Sequence, residues 1–319
     1  MRKILITGGA GYFGSVLVGK LLEYNDNFVY VIDALHYCSS GVVPYLGRSN
    51  YRFLQGDVRD SFLLRYVLSQ DIDCIVHLAA LVGEPLCKHY PDLAFSVNVD
   101  GTRNLVNLAK EYDVRRFIFA STCSNYGLQN DEVDENTPLD PKSLYSQTKV
   151  IAEEYVMNHA SSPVVLRFAT LFGPSSRLRL DLLLNEIVYQ ASLEKLIEIY
   201  DPEAWRPLIH VKDASDAVCA CLNAGSSIVN EVFNVGNVNL KKIELAETVR
   251  RCIPETEIKI LSEGTDKRSY KVSFDKIREK LSFIPKVGVE EGIKELTDLL
   301  TLSFDHKDGK YRNMEGFRP

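Results

Sequence analysis

The chain has 319 residues, of which 45% are hydrophobic and 25% are charged, and its net charge is -6. This length and apolar content allow a large buried core and exclude a disordered chain. The negative charge argues against binding of nucleic acid or of an anionic membrane surface.

The seven cysteines show no paired zinc spacing, and several of them lie inside apolar runs. This pattern predicts reduced thiols and no bound metal. No apolar stretch reaches the roughly 18 residues of a membrane span. The first predicted strand begins within three residues of Met1, which leaves no room for a signal peptide. We therefore expect a soluble, cytoplasmic protein.

The first motif along the chain is a set of three evenly spaced glycines that follow the apolar run Ile4–Ile6. Glycines at this position allow a tight turn and let a diphosphate approach the main chain, while the next helix offers unpaired N–H groups at its N-terminus. The predicted dinucleotide contacts in this turn are Gly8, Gly11, Tyr12, Phe13 and Gly14.

The next apolar run, Phe28–Ile32, ends in Asp33, nineteen residues after Gly14. A carboxylate at this position accepts hydrogen bonds from an adenosine ribose and repels a 2′-phosphate. The sequence therefore predicts NAD, rather than NADP, as the cofactor.

Short apolar runs alternate with helical patterns through the first half of the chain, which is typical of a parallel sheet covered on both faces. The predicted strands contain Ile4–Ile6, Val29–Ile32, Cys74–Leu78, Phe117–Ala120 and Val164–Phe168. The predicted helices between them are Tyr12–Glu23, Ser61–Ser69, Asp92–Glu111 and Tyr145–Asn158. This order predicts an α/β fold with a doubly wound parallel sheet, the Rossmann arrangement.

The alternation ends after residue 173, which predicts a smaller C-terminal substrate lobe. We predict a dinucleotide-binding domain at 1–173, with 208–235 returning to it, and a substrate-binding lobe formed by 174–207 and 236–319. Further helices are predicted at Leu180–Ala191, Ala214–Leu222, Ile243–Cys252, Phe274–Leu281 and Val289–Leu300. The tail from residue 304 to residue 319 shows no periodicity.

Tyr145 and Lys149 lie four residues apart, on one face of a predicted helix. Hydride removal from a secondary alcohol requires loss of the hydroxyl proton, and a free phenol with a pKa of about 10 is a weak base at neutral pH. We expect Lys149 to lower the pKa of Tyr145 and to hold the nicotinamide ribose. Thr122, at the end of a predicted strand, is expected to orient the alcohol.

Several longer motifs point to one family. They are TGGAGYFGS, GDV at 56–58, HLAA at 77–80, VNVDGT around Asn98, STCSNYG, YSQTK, RFATLFGP at 167–174 and RPLIHVKD at 206–213. With them the chain resembles the extended short-chain dehydrogenase/reductases, in the sugar-nucleotide epimerase/dehydratase branch. The resemblance implies a nucleotide-diphosphate sugar substrate, a homodimer, and Thr122, Tyr145 and Lys149 as catalytic residues. It adds these cofactor contacts: Asp57, Val58, Leu78, Ala79, Ala80, Asn98, Tyr145 and Lys149.

The chain departs from the dehydratases of this family directly after Thr122. They carry an Asp-Glu pair there, and this chain has Cys123 and Ser124, so elimination of water is disfavoured. The segments 80–88, 177–185 and 266–273 resemble bacterial GDP-heptose 4-dehydrogenases, which implies oxidation at C4. The substrate contacts expected from these comparisons are Thr122, Cys123, Ser124, Arg177, Arg179, Asn185, Arg206 and Arg268.

Alternatives stay open at this point. The 4-keto sugar can leave as product, or it can be reduced again in the site as a C4 epimer, and the sequence does not choose. A second alternative is a dinucleotide-sensing regulator without catalysis, which would have no need of Tyr145 and Lys149. A third is a purely structural subunit, which would hold no nucleotide tightly. Cys87 and Lys88 are either a proton donor and acceptor beside the sugar or a buried thiol and a solvated ammonium.

Overall fold

The computed structural model describes residues 1–262 and 268–319. Asp266 and Lys267, in the segment 266–273 named above, lie outside the described residues. The strands are β1 (Arg2–Thr7), β2 (Asn27–Asp33), β3 (Tyr51–Gln55), β4 (Cys74–His77), β5 (Arg116–Thr122), β6 (Leu128–Val133), β7 (Pro163–Phe168), β8 (Thr170–Phe172), β9 (Leu196–Tyr200), β10 (Trp205–His210), β11 (Glu231–Val235), β12 (Val238–Lys241), β13 (Glu257–Leu261) and β14 (Ser269–Val272).

Most of the helices follow the predicted positions, whereas those at Glu84–His89 and Asn313–Gly316 were not predicted. The helices are α1 (Tyr12–Leu21), α2 (Ser61–Leu68), α3 (Glu84–His89), α4 (Pro91–Phe95), α5 (Thr102–Glu111), α6 (Leu144–His159), α7 (Leu183–Tyr189), α8 (Val211–Asn223), α9 (Lys242–Cys252), α10 (Asp275–Leu281), α11 (Val289–Leu300) and α12 (Asn313–Gly316). A π-helical turn, Ser96–Gly101, joins α4 to α5, so the predicted helix at 92–111 is one continuous segment. No helix in the described ranges is both long and apolar enough to cross a membrane.

A seven-stranded parallel sheet in the order β11-β7-β5-β4-β1-β2-β3 forms the centre of the molecule. Neighbouring residues of one strand pack into different cores, because side chains alternate between the faces of a sheet. Ile4 and Ile6 join the core beneath α1 and α8, whereas Leu5 joins the core beneath α2, α5 and α6. The predicted doubly wound fold is confirmed. Strand β3 was not predicted, because it lies at the sheet edge, where only Tyr51 is buried and no continuous apolar run marks it.

The second half of the chain forms a separate core around α7, α9 and α11. It also contains a three-stranded sheet in the order β12-β10-β8. The segment 208–235 divides between the two parts of the molecule. Its last strand, β11, pairs with β7 in the large sheet, and α8 packs on α1, but β10 belongs to the three-stranded sheet. The domain boundaries at 173 and 235 stay a prediction.

The C-terminal segment returns to the first half of the chain. The Arg318 N–H donates a hydrogen bond to His36 O at 2.7 Å. The ring of Phe317 lies 5.7 Å from that of Tyr37 and 5.3 Å from that of Tyr90. This segment therefore closes over the region that follows β2, at the carboxyl end of the parallel sheet, where doubly wound folds bind their ligands.

Candidate active site

A cavity of about 770 Å³ lies at the carboxyl ends of the central strands and continues toward the second core. The glycine turn forms one wall. Gly8 has a φ of +76°, and a Cβ at this position would lie 2.7 Å from the Ala79 nitrogen. A Cβ on Gly14 would lie 2.2 Å from Gly8 O. Gly11, Tyr12 and Phe13 also line the cavity, so the main chain here forms a cradle that fits a diphosphate at the N-terminus of α1.

Asp33 lines the same cavity at the end of β2. Its Oδ2 accepts a hydrogen bond from the Ala10 N–H at 3.0 Å, and its Oδ1 accepts one from the Leu35 N–H at 2.9 Å. Burial raises the pKa of Asp33, and these two backbone N–H groups lower it. The predicted contacts that follow β3 and β4 lie on this wall too: Asp57, Val58, Leu78, Ala79 and Ala80.

Asn98, predicted as a cofactor contact, does not line the cavity but lies behind its wall. Its Oδ1 accepts from the Leu81 N–H at 2.7 Å, and its Nδ2 donates to Leu81 O at 3.1 Å and to Thr148 Oγ1 at 3.0 Å. The Thr148 hydroxyl in turn donates to Tyr145 O at 2.8 Å. Asn98 therefore connects the loop after β4 to the first turns of α6.

Thr122, Tyr145 and Lys149 line one cavity with the glycine turn. Thr122 ends β5, and its Oγ1 accepts a hydrogen bond from the Ser124 N–H at 3.1 Å. Tyr145 and Lys149 lie one turn apart on α6, which begins with a capping box at Ser143. The structure thus brings the three predicted catalytic side chains together with the predicted cofactor site.

The charges of the two α6 side chains differ from the sequence expectation. Burial raises the pKa of Tyr145, and Arg179 and Arg268 lower it. Burial also lowers the pKa of Lys149 to about 7, against which Glu153 raises it. The pKa of Tyr145 is therefore raised, contrary to the expected lowering by Lys149, since burial disfavours the charged form of each group.

A buried ion pair lies directly behind these residues. Arg167 donates to Glu153 Oε1 from Nε at 3.0 Å and from Nη2 at 2.6 Å. The other oxygen, Oε2, accepts from Ser121 Oγ at 2.5 Å and from Asn125 Nδ2 at 3.3 Å. Glu153 follows Lys149 by one helical turn, Arg167 lies on β7 and Ser121 precedes Thr122. Glu153 therefore joins α6 to β7 through Arg167 and to the end of β5 through Ser121.

The predicted nucleotide contacts gather at the other end of the cavity. Arg268 Nη1 donates to Ser124 Oγ at 3.0 Å, and Tyr270 OH donates to the same oxygen at 3.5 Å. Arg206 Nη1 donates to Arg268 O and also lines the cavity. Cys123 does not line it, because its side chain is buried and its Sγ donates to a backbone carbonyl of β7.

The remaining predicted contacts come from the segment after β8. Arg179 forms a two-point ion pair with Asp181, at 2.9 and 2.8 Å, and both line the cavity. Arg177 lines it beside Tyr37, with its guanidinium carbon 3.9 Å from the ring centre. Asn185 lies behind the wall, where its Oδ1 accepts from the Gly173 N–H at 3.0 Å.

Sequence reasoning missed several residues of this wall. Glu84, at the start of α3, accepts a hydrogen bond from the Tyr145 N–H at 3.4 Å. Tyr270 lies two residues after Arg268, and strand alternation places both on one side, a signal that was available. No sequence signal pointed to Tyr37 or to the C-terminal residues 312–315, which also line the cavity.

Cys87 and Lys88 lie off the cavity. The Cys87 side chain is fully buried, its Sγ donates to Leu81 O at 3.4 Å, and burial raises the pKa of the thiol to about 12. Lys88 is exposed on α3. The structure therefore favours the interpretation as a buried thiol and a solvated ammonium over that as a proton donor and acceptor.

Comparison with known proteins identifies the family of this chain. The model of the NAD dependent epimerase/dehydratase family matches residues 4–236. The low-salt glycan biosynthesis protein Agl12 of Haloferax volcanii is 30% identical over 308 residues, which cover 92% of this chain and 97% of that protein. The segment 4–236 that the family model matches includes the predicted dinucleotide and catalytic residues.

Solved structures are similar over nearly the whole chain. The dTDP-glucose 4,6-dehydratase of Bacillus anthracis, in complex with NAD, is 28% identical with a TM-score of 0.84, covering 99% of this chain and 100% of that one. The UDP-glucuronic acid 4-epimerase of Bacillus cereus, in complex with UDP-glucuronic acid and NAD, is 26% identical with a TM-score of 0.85, covering 94% and 99%. The predicted NAD cofactor and the predicted enzyme class are confirmed. The chain belongs to the NAD dependent epimerase/dehydratase family.

Proposed function

We propose that this chain oxidises a nucleotide-activated sugar at C4 with NAD and gives a 4-keto sugar nucleotide. The observation that carries the proposal is one shared cavity. The glycine turn, Thr122, Tyr145, Lys149, Arg206 and Arg268 all line it. The glycine turn follows β1, while Thr122 ends β5, two strands away, next to the Ser124 that Arg268 contacts. A sugar held by its diphosphate at the two arginines would reach the phenol of Tyr145.

NAD, when bound, would supply the acceptor for the hydride that leaves the sugar carbon. Tyr145 removes the proton of the C4 hydroxyl as the carbon loses hydride. The Thr122 oxygen already accepts the Ser124 N–H, so its own hydroxyl proton is available to hold the sugar oxygen. Lys149, in its charged form, stabilises the phenolate that Tyr145 must become.

The residues after Thr122 support oxidation without loss of water. Ser124 lines the cavity and Cys123 is buried, so neither position offers the acid or base that elimination requires. As the first substrate to test we propose a GDP-linked heptose, because the segments 80–88 and 177–185 resemble GDP-heptose 4-dehydrogenases. In this proposal residues 1–173 and 208–235 bind NAD, the other parts bind the sugar nucleotide, and the protein is a homodimer.

A second candidate is a C4 epimerase. The similarity to a UDP-glucuronic acid 4-epimerase at a TM-score of 0.85 favours it. Both reactions begin with the same oxidation, and they differ in whether the 4-keto sugar is released or reduced again on its other face. Product mass separates them. Oxidation removes two hydrogens, elimination removes one water, and epimerisation leaves the mass unchanged.

The test is to incubate the purified protein and NAD with a panel of nucleotide sugars and to follow the products by mass spectrometry. Tyr145→Phe should lower the rate of hydride transfer by at least about 100-fold and leave the affinity for NAD within about fivefold. Tyr155→Phe is the matched control, because Tyr155 lies on the same helix and its hydroxyl donates to Asn107 outside the cavity. Preserved turnover in Tyr145→Phe would show that another group removes the proton.

A further inference from the structure

Arg177 is a buried cation whose hydrogen bonds are incomplete. The residue is 2% exposed, and its Nε and Nη2 have no hydrogen-bond partner. No carboxylate within residues 1–262 and 268–319 forms an ion pair with it. A buried guanidinium is unfavourable unless its donors are satisfied, and this one lines the large cavity. These observations point to an anionic ligand that binds in the cavity and accepts hydrogen bonds from Arg177.

The neighbours of Arg177 show at which end of the cavity the residue lies. The Arg177 N–H donates to Ser175 Oγ at 3.2 Å, and the Ser175 hydroxyl donates to Tyr12 O at 2.8 Å, in the first turn of α1. The guanidinium stacks on Tyr37, four residues after Asp33. Arg177 therefore lies between the glycine turn and the end of β2, at the cofactor end of the cavity.

Two other arginines of the wall, Arg179 and Arg268, already have hydrogen-bond partners. Arg179 is engaged by both oxygens of Asp181. Arg268 donates to Ser124 at the opposite end. The first helical turn after the glycines, Tyr12 to Ser15, contains no basic residue, so N–H groups and the helix dipole are all that α1 supplies.

We propose that Arg177 binds the diphosphate of the dinucleotide from the wall of the cavity that faces the glycine turn. Its unpartnered N–H groups donate to phosphate oxygens, and Tyr37 holds the guanidinium plane in place. This assigns Arg177 to the cofactor, whereas the sequence placed it with the substrate diphosphate. The inference rests on NAD as the cofactor and is independent of which sugar carbon is oxidised.

The test compares nucleotides that differ only in their phosphates. ADP, NAD⁺ and adenosine are titrated into the full-length wild type and into Arg177→Met by calorimetry. Methionine keeps an unbranched chain beside Tyr37 and removes all donors. We expect the affinity for ADP and NAD⁺ to fall by at least about 30-fold and that for adenosine to change by less than about threefold. Arg65→Met, which removes an exposed arginine that pairs with Glu111 outside the cavity, should leave the affinity for ADP unchanged.

Two results would overturn the assignment. An equal loss of ADP and adenosine affinity would show that Arg177 only shapes the adenosine site. Unchanged ADP affinity, with weaker binding of GDP or UDP to the NAD-loaded variant, would return Arg177 to the substrate. A thermal melt of the variant without added nucleotide separates folding from binding. Because the substitution removes an unpaired buried charge, the midpoint should stay level or rise.

Discussion

The buried pair Glu153–Arg167 allows a quantitative test of how the site is supported. The two side chains are 5% and 6% exposed. Glu153→Gln keeps the shape and removes the negative charge, which leaves the Arg167 guanidinium buried without a counter-charge. If the amide oxygen still faces Arg167, the amide nitrogen faces Asn125 Nδ2, itself a donor. Breaking one partner of a buried pair costs about 3–5 kcal/mol, so we expect a loss of this size in the free energy of unfolding.

Urea unfolding followed by circular dichroism measures this loss, with the slope against urea serving to check that the same surface is exposed. Arg167→Met should cost a similar amount, because it leaves the carboxylate unpaired. The double variant Glu153→Met with Arg167→Met should cost far less than the sum of the two. A loss below about 1 kcal/mol for Glu153→Gln, or strict additivity in the double variant, would refute the account of a desolvated, coupled pair.

Two further substitutions test the cofactor end. Asp33→Ala should weaken NAD binding about 10- to 100-fold and relax the discrimination against NADP, since the ribose loses a charged acceptor. Calorimetry with NAD and NADP measures both affinities. An unchanged preference for NAD would show that another residue recognises the ribose. Gly14→Ala should destabilise the protein by about 1–3 kcal/mol and weaken NAD binding, because the new Cβ would meet Gly8 O at 2.2 Å. Gly225→Ala is the control for Gly14→Ala in thermal melts, since a Cβ on Gly225 meets nothing within 4 Å. Equal melting midpoints for the two variants would contradict the steric clash expected at Gly14.

The sequence predicted the elements whose signals are local. Runs such as Val29–Ile32 are apolar throughout because a central parallel strand is buried on both faces. The glycine spacing and the four-residue gap from Tyr145 to Lys149 likewise follow from the geometry of one turn and one helix. These local rules were enough to place both ends of α6 within one residue of the structure and to indicate the shared site.

The parts that the sequence did not predict depend on contacts between distant residues. Nothing near Tyr37 indicates that Arg177 stacks on it, because 140 residues separate the two in the chain. The segment after residue 304 has no periodicity, and its position follows from Phe317 packing on the rings beyond β2. The direction of the Cys123 side chain is set by the turn that begins directly after β5. The composition of the sequence does not indicate the backbone geometry of this turn.

The order of strands in the large sheet has a consequence for synthesis on the ribosome. Strand β7 is completed at Phe168, but its outer neighbour β11 begins only at Glu231, roughly 60 residues later. At about 5–20 residues per second, the outer edge of β7 waits several seconds for its partner. Unpaired N–H and C=O groups beside buried apolar side chains are a template for association with other chains. The nascent first half is therefore the species that a chaperone would have to shield, and slower translation between these two strands should lower the soluble yield.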